Sequence, residues 1–449
     1  MSAAKLLDSR VHIVPGKLRV TEYFFEVPLD YTQPHGEALR LFGRGVRRHV
    51  VPHKDQGNLE PLPWLVYLQG GPGFGCQLPQ STSFVPFLLD KGYEVLLLDQ
   101  RGTGMSTTIT AATLQRRGDA EKQAEYLRHF RADNIVRDCE AVRKLLTADY
   151  PEDLQKWSAL GQSYGGFCAT TYLSFHPEGL KEVFITGGVP PISTSPDMVY
   201  EKTYAKVRER NRAYYQKYPE DAEKIKRIYQ YLQENKPRLP SGYLTPARFQ
   251  QLGIAFGQHG GLDTVHDVVL RATNDLDMFG FLTRPTLLLI DGQGAFDKAV
   301  IYAILHESIY CERWASNWSA DRLSPKAGPE FQINLKQPQI YFTGEMIYKD
   351  MFESYDELAD LKDVAGILAS YEDWPELYDR EQLGRNEVPA YAAIYVDDMY
   401  VDFSIAFDTA RAIRNLKPFI TNSMYHGALS DKTEEVLRQL FSLKEDTID

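Results

Sequence analysis

Cysteine is scarce in this 449-residue chain. There are four, Cys76, Cys139, Cys168 and Cys311, and none forms a CxxC pair. Thiols so few and so scattered make no disulfide framework, and a reducing, cytoplasmic setting is expected. Long apolar runs are missing as well. No window approaches the roughly 18 uninterrupted apolar residues of a membrane span. The opening MSAAKLLDSRVHIVPGK has no apolar core of the kind an export signal carries, so none is expected. Nor is there a basic block. Lys and Arg number 50 against 61 Asp and Glu, a net charge of −11, which argues against a nucleic-acid partner because phosphate neutralisation needs clustered cations. What is present is an ordinary globular balance, 43% hydrophobic and 25% charged. Aromatics reach 12%, which suits a large core and apolar pockets. The length allows about three domains, or one α/β domain carrying insertions.

Residues 18–50 alternate apolar and polar around the turn cluster Asp30–Gly36, which predicts an antiparallel hairpin. Short apolar runs at 64–69, 93–99, 157–163 and 182–188 read as strands. Helical spacing falls between them, clearest over 133–147 (Ile135, Val136, Cys139, Val142, Leu146). Strands alternating with helices predict a mostly parallel sheet covered on both faces. From about 190 to 350 the pattern turns helical and polar. Strand-like runs return at 338–343, 390–396 and 417–423. The expected organisation is an α/β core over 1–189 and 351–449, split by a helical cap at 190–350.

The strongest chemical signal is Gly161-Gln162-Ser163-Tyr164-Gly165, a G-x-S-x-G between a predicted strand and a predicted helix. A serine on so tight a turn needs small residues two before and two after it. The turn lifts Oγ off the sheet and puts the Tyr164 N–H at a helix N-terminus, where a developing oxyanion is stabilised. A second donor is expected from Gln69-Gly70-Gly71-Pro72-Gly73, at Gly71. That loop fails as a dinucleotide loop, because G-x-G-x-x-G begun at Gly71 meets Cys76 in the last place. A triad needs a carboxylate and then a histidine further along. Of the later histidines only His426 follows the last strand. After the strand at 390–396 stand Asp397, Asp398 and Asp402; spacing favours Asp398, with Asp397 next. No cofactor and no metal is called for: His306-Glu307 is not HExxH, since Tyr310 takes the fifth place.

Taken together, Gly70-Gly71-Pro72-Gly73, Asp99-Gln100-Arg101-Gly102-Thr103-Gly104-Met105-Ser106 and Gly161-Gln162-Ser163-Tyr164-Gly165-Gly166 resemble the prolyl aminopeptidases, also called proline iminopeptidases. The segments Thr245-Pro246-Ala247-Arg248 and His306-Glu307-Ser308-Ile309-Tyr310-Cys311 look like the long fungal or actinobacterial members. Gln69 departs from the pattern, since most relatives carry His there. The resemblance implies an α/β-hydrolase fold with a helical cap. It implies a serine peptidase that releases N-terminal proline from peptides. Cap glutamates would hold the substrate's ammonium, Glu307 first and Glu345 second. Phe279, Phe281, Tyr310, Trp314 and Trp318 are the aromatics available for a proline pocket. Another hydrolase on the same scaffold, such as an esterase, an amidase or a tripeptidyl-type peptidase, is the alternative. The expected partner is a peptide or small amide, with a homo-oligomer possible.

Overall fold

In a computed structural model, residues 4–49, 60–294 and 296–445 are described. The strands are β1 (Lys5–Val14), β2 (Leu18–Pro28), β3 (Ala38–Arg48), β4 (Trp64–Leu68), β5 (Glu94–Asp99), β6 (Trp157–Gln162), β7 (Leu180–Thr186), β8 (Arg238–Leu239), β9 (Gly242–Tyr243), β10 (Ala390–Tyr395) and β11 (Leu416–Thr421). Nine of them form one sheet in the order β1-β2-β3-β5-β4-β6-β7-β10-β11. The β1–β2, β2–β3 and β3–β5 pairs are antiparallel, and every pair from β5 to β11 is parallel. The α/β class read from the sequence is therefore what forms. The predicted hairpin is β2–β3; Val50, at the end of its predicted span, lies outside the described residues.

Helices pack on both faces of this sheet. Strands β4, β5 and β10 are buried at every position, which is why they read as continuous apolar runs rather than alternations. One core layer gathers Trp157, Phe167 and Tyr172 with Ile135 and Val142 of the helix Ala132–Leu146. The other holds Phe84, Leu88, Phe184 and Phe441. Between β7 and β10 the described elements are helices apart from the small β8–β9 pair, joined by irregular stretches. No helix among the described residues is long and apolar enough to cross a membrane.

One expected strand is absent. Residues 338–343 form no regular element and join no sheet. Their backbone groups are satisfied from the surrounding helices instead. Asn211 pairs with both the N–H and the carbonyl of Phe342, Gln250 donates to the Tyr341 carbonyl, and the Tyr215 hydroxyl donates to Ile340. Burial made the segment look like a strand, and side-chain amides replaced the ladder. Conversely, β1 was not anticipated.

The Asp99–Ser106 motif is a structural clasp at the end of β5. The Asp99 carboxylate accepts the N–H groups of Cys76 and Met105, tying the glycine-rich loop to its neighbour. Gly104 is pressed against that carboxylate, and a Cβ there would collide with it. The Arg101 guanidinium makes a two-bond pair with Asp138, at 2.7 and 2.6 Å. It also donates to the carbonyls of Pro28, Leu29 and His129, so all its donors are used in a site that is 1% exposed. Arg101→Met leaves Asp138 buried without its cation, and a loss of about 3–5 kcal/mol is expected. The readout is thermal unfolding; a variant that melts together with the wild type refutes the clasp.

Candidate active site

Strand β6 ends at Gln162, and the helix Tyr164–Phe175 begins two residues later. Ser163 is the whole connection. Its backbone sits at φ 55°, ψ −125°, a region that L residues avoid and that costs on the order of 1–3 kcal/mol. The turn holds because Ser163 N–H bonds Thr186 and the Gly166 N–H closes back on Ser163. Gly165 meets the Leu68 carbonyl so closely that no side chain fits there. The crowding around a G-x-S-x-G serine thus comes from the neighbouring strand β4 as well as from the turn itself.

The His426 imidazole stands over this turn. Its Nε2 lies 2.8 Å from Ser163 Oγ, and its Nδ1 lies 2.9 Å from Asp398 Oδ2 and 3.2 Å from Oδ1. Asp398 is 1% exposed and His426 6%. The N–H groups of Tyr400 and Val401 donate to Asp398 Oδ1 at 2.8 and 3.0 Å and fix its plane. Burial pulls the His426 pKa down, but the Asp398 charge and hydrogen bond outweigh it, and the imidazole ends above its ordinary value. Asp397 points elsewhere, 3.6 Å from the Lys206 ammonium and 41% exposed. Asp402 caps the helix Phe403–Ala412 through the Ile405 N–H. Of the three candidate carboxylates, only Asp398 reaches the imidazole.

The loop from Gln69 to Gly73 lies beside the serine. A Cβ on Gly70 would come 3.0 Å from Ser163 Cβ. Gln100 holds the loop by donating to the Gln69 carbonyl at 3.1 Å. Gly71 sits at φ 135° and Tyr164 opens the helix after the serine, so both proposed donors are backbone groups on elements fixed from below. A polar pocket of about 380 Å³ adjoins His426, lined in part by Gln69, Gln162 and Gln258. The glutamine that departs from the family pattern therefore faces this pocket, while the loop is anchored through its backbone.

Over the loop lies the segment 299–310. Backbone at Tyr302 rests against Gly73, and the Tyr302 ring packs 5.0 Å from Phe74. The Tyr302 hydroxyl donates to Glu345. The Glu345 charge raises the pKa of His426, Tyr400 and Tyr310, and the Glu307 charge also reaches Tyr310. Glu307 is placed differently. Its carboxylate accepts the N–H groups of Ser319 and Ala320, at 3.0 and 2.9 Å, where the helix Ser319–Ala327 begins. Burial raises its pKa against those bonds. The two glutamates thus differ in their partners: the Glu307 carboxylate is spent on a helix terminus, and Glu345 accepts the Tyr302 hydroxyl.

Among the aromatics, Tyr310 packs 6.0 Å from Phe167 of the elbow helix and lies within the field of Asp398. Phe279 and Phe281 are more than half exposed and pair with each other, away from the site. Trp314 donates to the Tyr310 carbonyl, and Trp318 packs on Phe352. Tyr400 went unread in the sequence, and His306 was read there only as part of a motif that fails to bind zinc. The Tyr400 ring lies 4.5 Å from His426, and its only signal was its place two after Asp398. His306 is buried between Tyr302 and Tyr310, and neither ring nitrogen has a hydrogen-bond partner among the described residues. Burial holds it below its ordinary pKa.

Comparison with known proteins agrees with this geometry. Residues 63–306 match the alpha/beta hydrolase fold family. The chain is 51% identical over 449 residues to the proline iminopeptidase aneH of Aspergillus aculeatus, covering 100% of this chain and 99% of that protein. It is 41% identical over 451 residues to a proline iminopeptidase of Aeromonas sobria, covering 98% and 100%. Identity at that level, end to end, settles the assignment: the chain belongs to the α/β hydrolases and, within them, to the proline iminopeptidase family.

Proposed function

We propose that the protein is a serine aminopeptidase that releases proline from the N-terminus of peptides. The observation that carries the reading is the single imidazole bridging Ser163 Oγ and Asp398. Ser163 Oγ attacks the prolyl carbonyl carbon while His426 Nε2 takes its proton. The oxyanion receives the N–H groups of Gly71 and Tyr164. His426 then hands the proton to the departing peptide amine, leaving a prolyl ester on Ser163. Water, deprotonated by the same imidazole, cleaves that ester. Asp398 keeps the proton on Nδ1 and stabilises the imidazolium. The peptide substrate class fits the relatives at 51% and 41% identity.

An aminopeptidase must also read the free amine. Glu345 is the anchor in this reading, because it is held by Tyr302 over the glycine-rich loop, whereas the Glu307 carboxylate is already spent on the Ser319 and Ala320 N–H groups. Glu345→Gln is expected to lose a charge-assisted hydrogen bond of about 1.5–3 kcal/mol, or one to two decades in kcat/KM on a prolyl arylamide. Hydrolysis of a small neutral ester is expected to stay near the wild-type rate, since triad and oxyanion donors are untouched. N-acylated prolyl substrates are expected to be refractory to the wild type. Equal turnover of blocked and free substrates would mean that no carboxylate reads the amine and the protein is not an aminopeptidase.

A further inference from the structure

The two halves of a peptide substrate part at Ser163, and the triad decides which side the departing half takes. His426 Nε2, 2.8 Å from Ser163 Oγ, delivers its proton to the nitrogen of the residue that follows proline. That residue therefore leaves on the imidazole's side. A cavity of about 380 Å³ is lined by this same imidazole. Gln162 and Gln69, the residues before Ser163 and before Gly70, bring its wall up to the reacting atoms. Phe84 and Leu97 are buried at its floor, and Ser81, Ser430 and Asp431 are exposed at its rim, so it opens to solvent. Glu345 and Tyr302, on the amine's side, take no part in it.

The chemistry of the wall narrows the occupant. Four carboxamides line it, Gln69, Gln77, Gln162 and Gln258. Gln258 donates to the Tyr400 hydroxyl at 3.2 Å, and the other three side chains hold no hydrogen bond among the described residues. Each amide offers a donor and an acceptor, which is what a peptide backbone needs. Charge enters at one place. No Lys or Arg lines the cavity among the described residues, and Asp431 is its carboxylate.

The surroundings of Asp431 leave that charge in place. Its Oδ2 lies 3.0 Å from His259 Nδ1, while His259 Nε2 accepts the Tyr425 N–H at 3.4 Å. This arrangement puts the ring's proton on Nδ1, so the imidazole bonds Asp431 without cancelling its charge. The neighbouring cations are engaged elsewhere: Lys432 pairs with Glu435 at 3.5 Å, and the Arg210 guanidinium stacks 4.7 Å over the Tyr425 ring. A basic side chain after proline is attracted here and an acidic one is repelled. Asp431 is 45% exposed, so water screens it and the preference is one of degree. Resting on the aminopeptidase reading, we propose that this cavity receives the residue after proline, and that Asp431 makes the enzyme favour peptides in which that residue is basic over those in which it is acidic.

The test is proline release from three peptide amides, Pro-Lys-Gly, Pro-Gln-Gly and Pro-Glu-Gly, whose blocked C-termini keep a second carboxylate out of the cavity. For the wild type, kcat/KM is expected to fall from the lysine to the glutamine to the glutamate peptide, with about three- to tenfold between the extremes. Asp431→Asn is expected to bring the extremes within about twofold of each other. Asp431→Lys is expected to invert their order. Each protein is read by the ratio between its own substrates, with the glutamine peptide as the neutral reference, so a general loss of activity or of fold does not imitate the result. A preference for lysine that survives Asp431→Lys belongs to another group and overturns the proposal. Equal rates on all three peptides, from a wild type that cleaves a prolyl arylamide, overturn it as well and leave the aminopeptidase reading standing. A wild type that releases proline from none of these substrates defeats that reading, and the proposal falls with it.

Discussion

Ser163→Ala is expected to abolish turnover of prolyl substrates almost completely, by about 10⁶ in kcat, while the protein folds as before. The magnitude follows from what the oxygen does. Without Oγ no acyl-enzyme forms, His426 has nothing to deprotonate, and the triad fails as a unit rather than by one part. What survives is acceleration by the oxyanion donors and by binding, some 10³–10⁴ over the uncatalysed reaction. Stability is expected to hold because the serine side chain is partly exposed and its one polar partner is the imidazole. The strain at φ 55° belongs to the backbone and is the same for alanine. The measurement is single-turnover and steady-state hydrolysis of a prolyl arylamide beside a thermal melt. A variant that keeps more than about a tenth of the wild-type rate removes Ser163 from the nucleophile's place. A variant that loses activity only because it unfolds would show it in the melt.

The core of the fold and the triad could be read from the sequence because both rest on short-range pattern. A buried parallel strand writes itself as an apolar run, and a serine elbow writes itself as glycines at fixed spacing, since a Cβ at Gly165 has nowhere to go. The triad partners follow strands whose ends could be counted. The choice between Asp397 and Asp398 came down to one residue of loop register; in the structure Asp398 reaches His426 and Asp397 turns to Lys206. The segment between β7 and β10 was harder, because its residues are placed by long-range packing that no local spacing encodes. Glu307 and Glu345 are both glutamates in helical or irregular chain. Only the fold decides that one meets the helix terminus at Ser319 and the other meets Tyr302 beside the triad. Residues 340–343 are the clearest case. Their apolar run is real and buried, but the partners that satisfy its backbone are Asn211 and Gln250, more than 80 residues away in the chain. Phe279 and Phe281 show the reverse, an aromatic pair with no core to enter. β1 escaped because its bulge breaks the two-residue period just where a pattern would be sought.

Asp398→Asn carries the second large effect, and it is distinguished from a structural role by pH. The amide keeps the shape and can still accept the Tyr400 and Val401 N–H groups, but it favours the wrong imidazole tautomer. A loss on the order of 10⁴ in kcat is expected, against a small change for Asp397→Asn. The acid limb adds a signature. His426 must be neutral to take the serine proton, so the rate falls as pH drops through its pKa. Burial lowers that pKa, and Asp398 more than compensates, so the wild-type limb in kcat/KM is expected above the ordinary histidine value of 6.5. With the Asp398 charge gone, burial is opposed by Glu345 alone, and the limb of the residual activity is expected to move down from the wild-type position. The linked effect on stability has the matching sign. A raised folded-state pKa means that protonated His426 contributes to folding below about 6.5, and the contribution fades as pH rises through the folded value; Asp398→Asn removes it. The pH profile of kcat/KM for both proteins decides the matter. A variant whose acid limb stays where the wild type's lies would mean that Asp398 does not set the charge on His426, and the partner of the imidazole would have to be sought elsewhere.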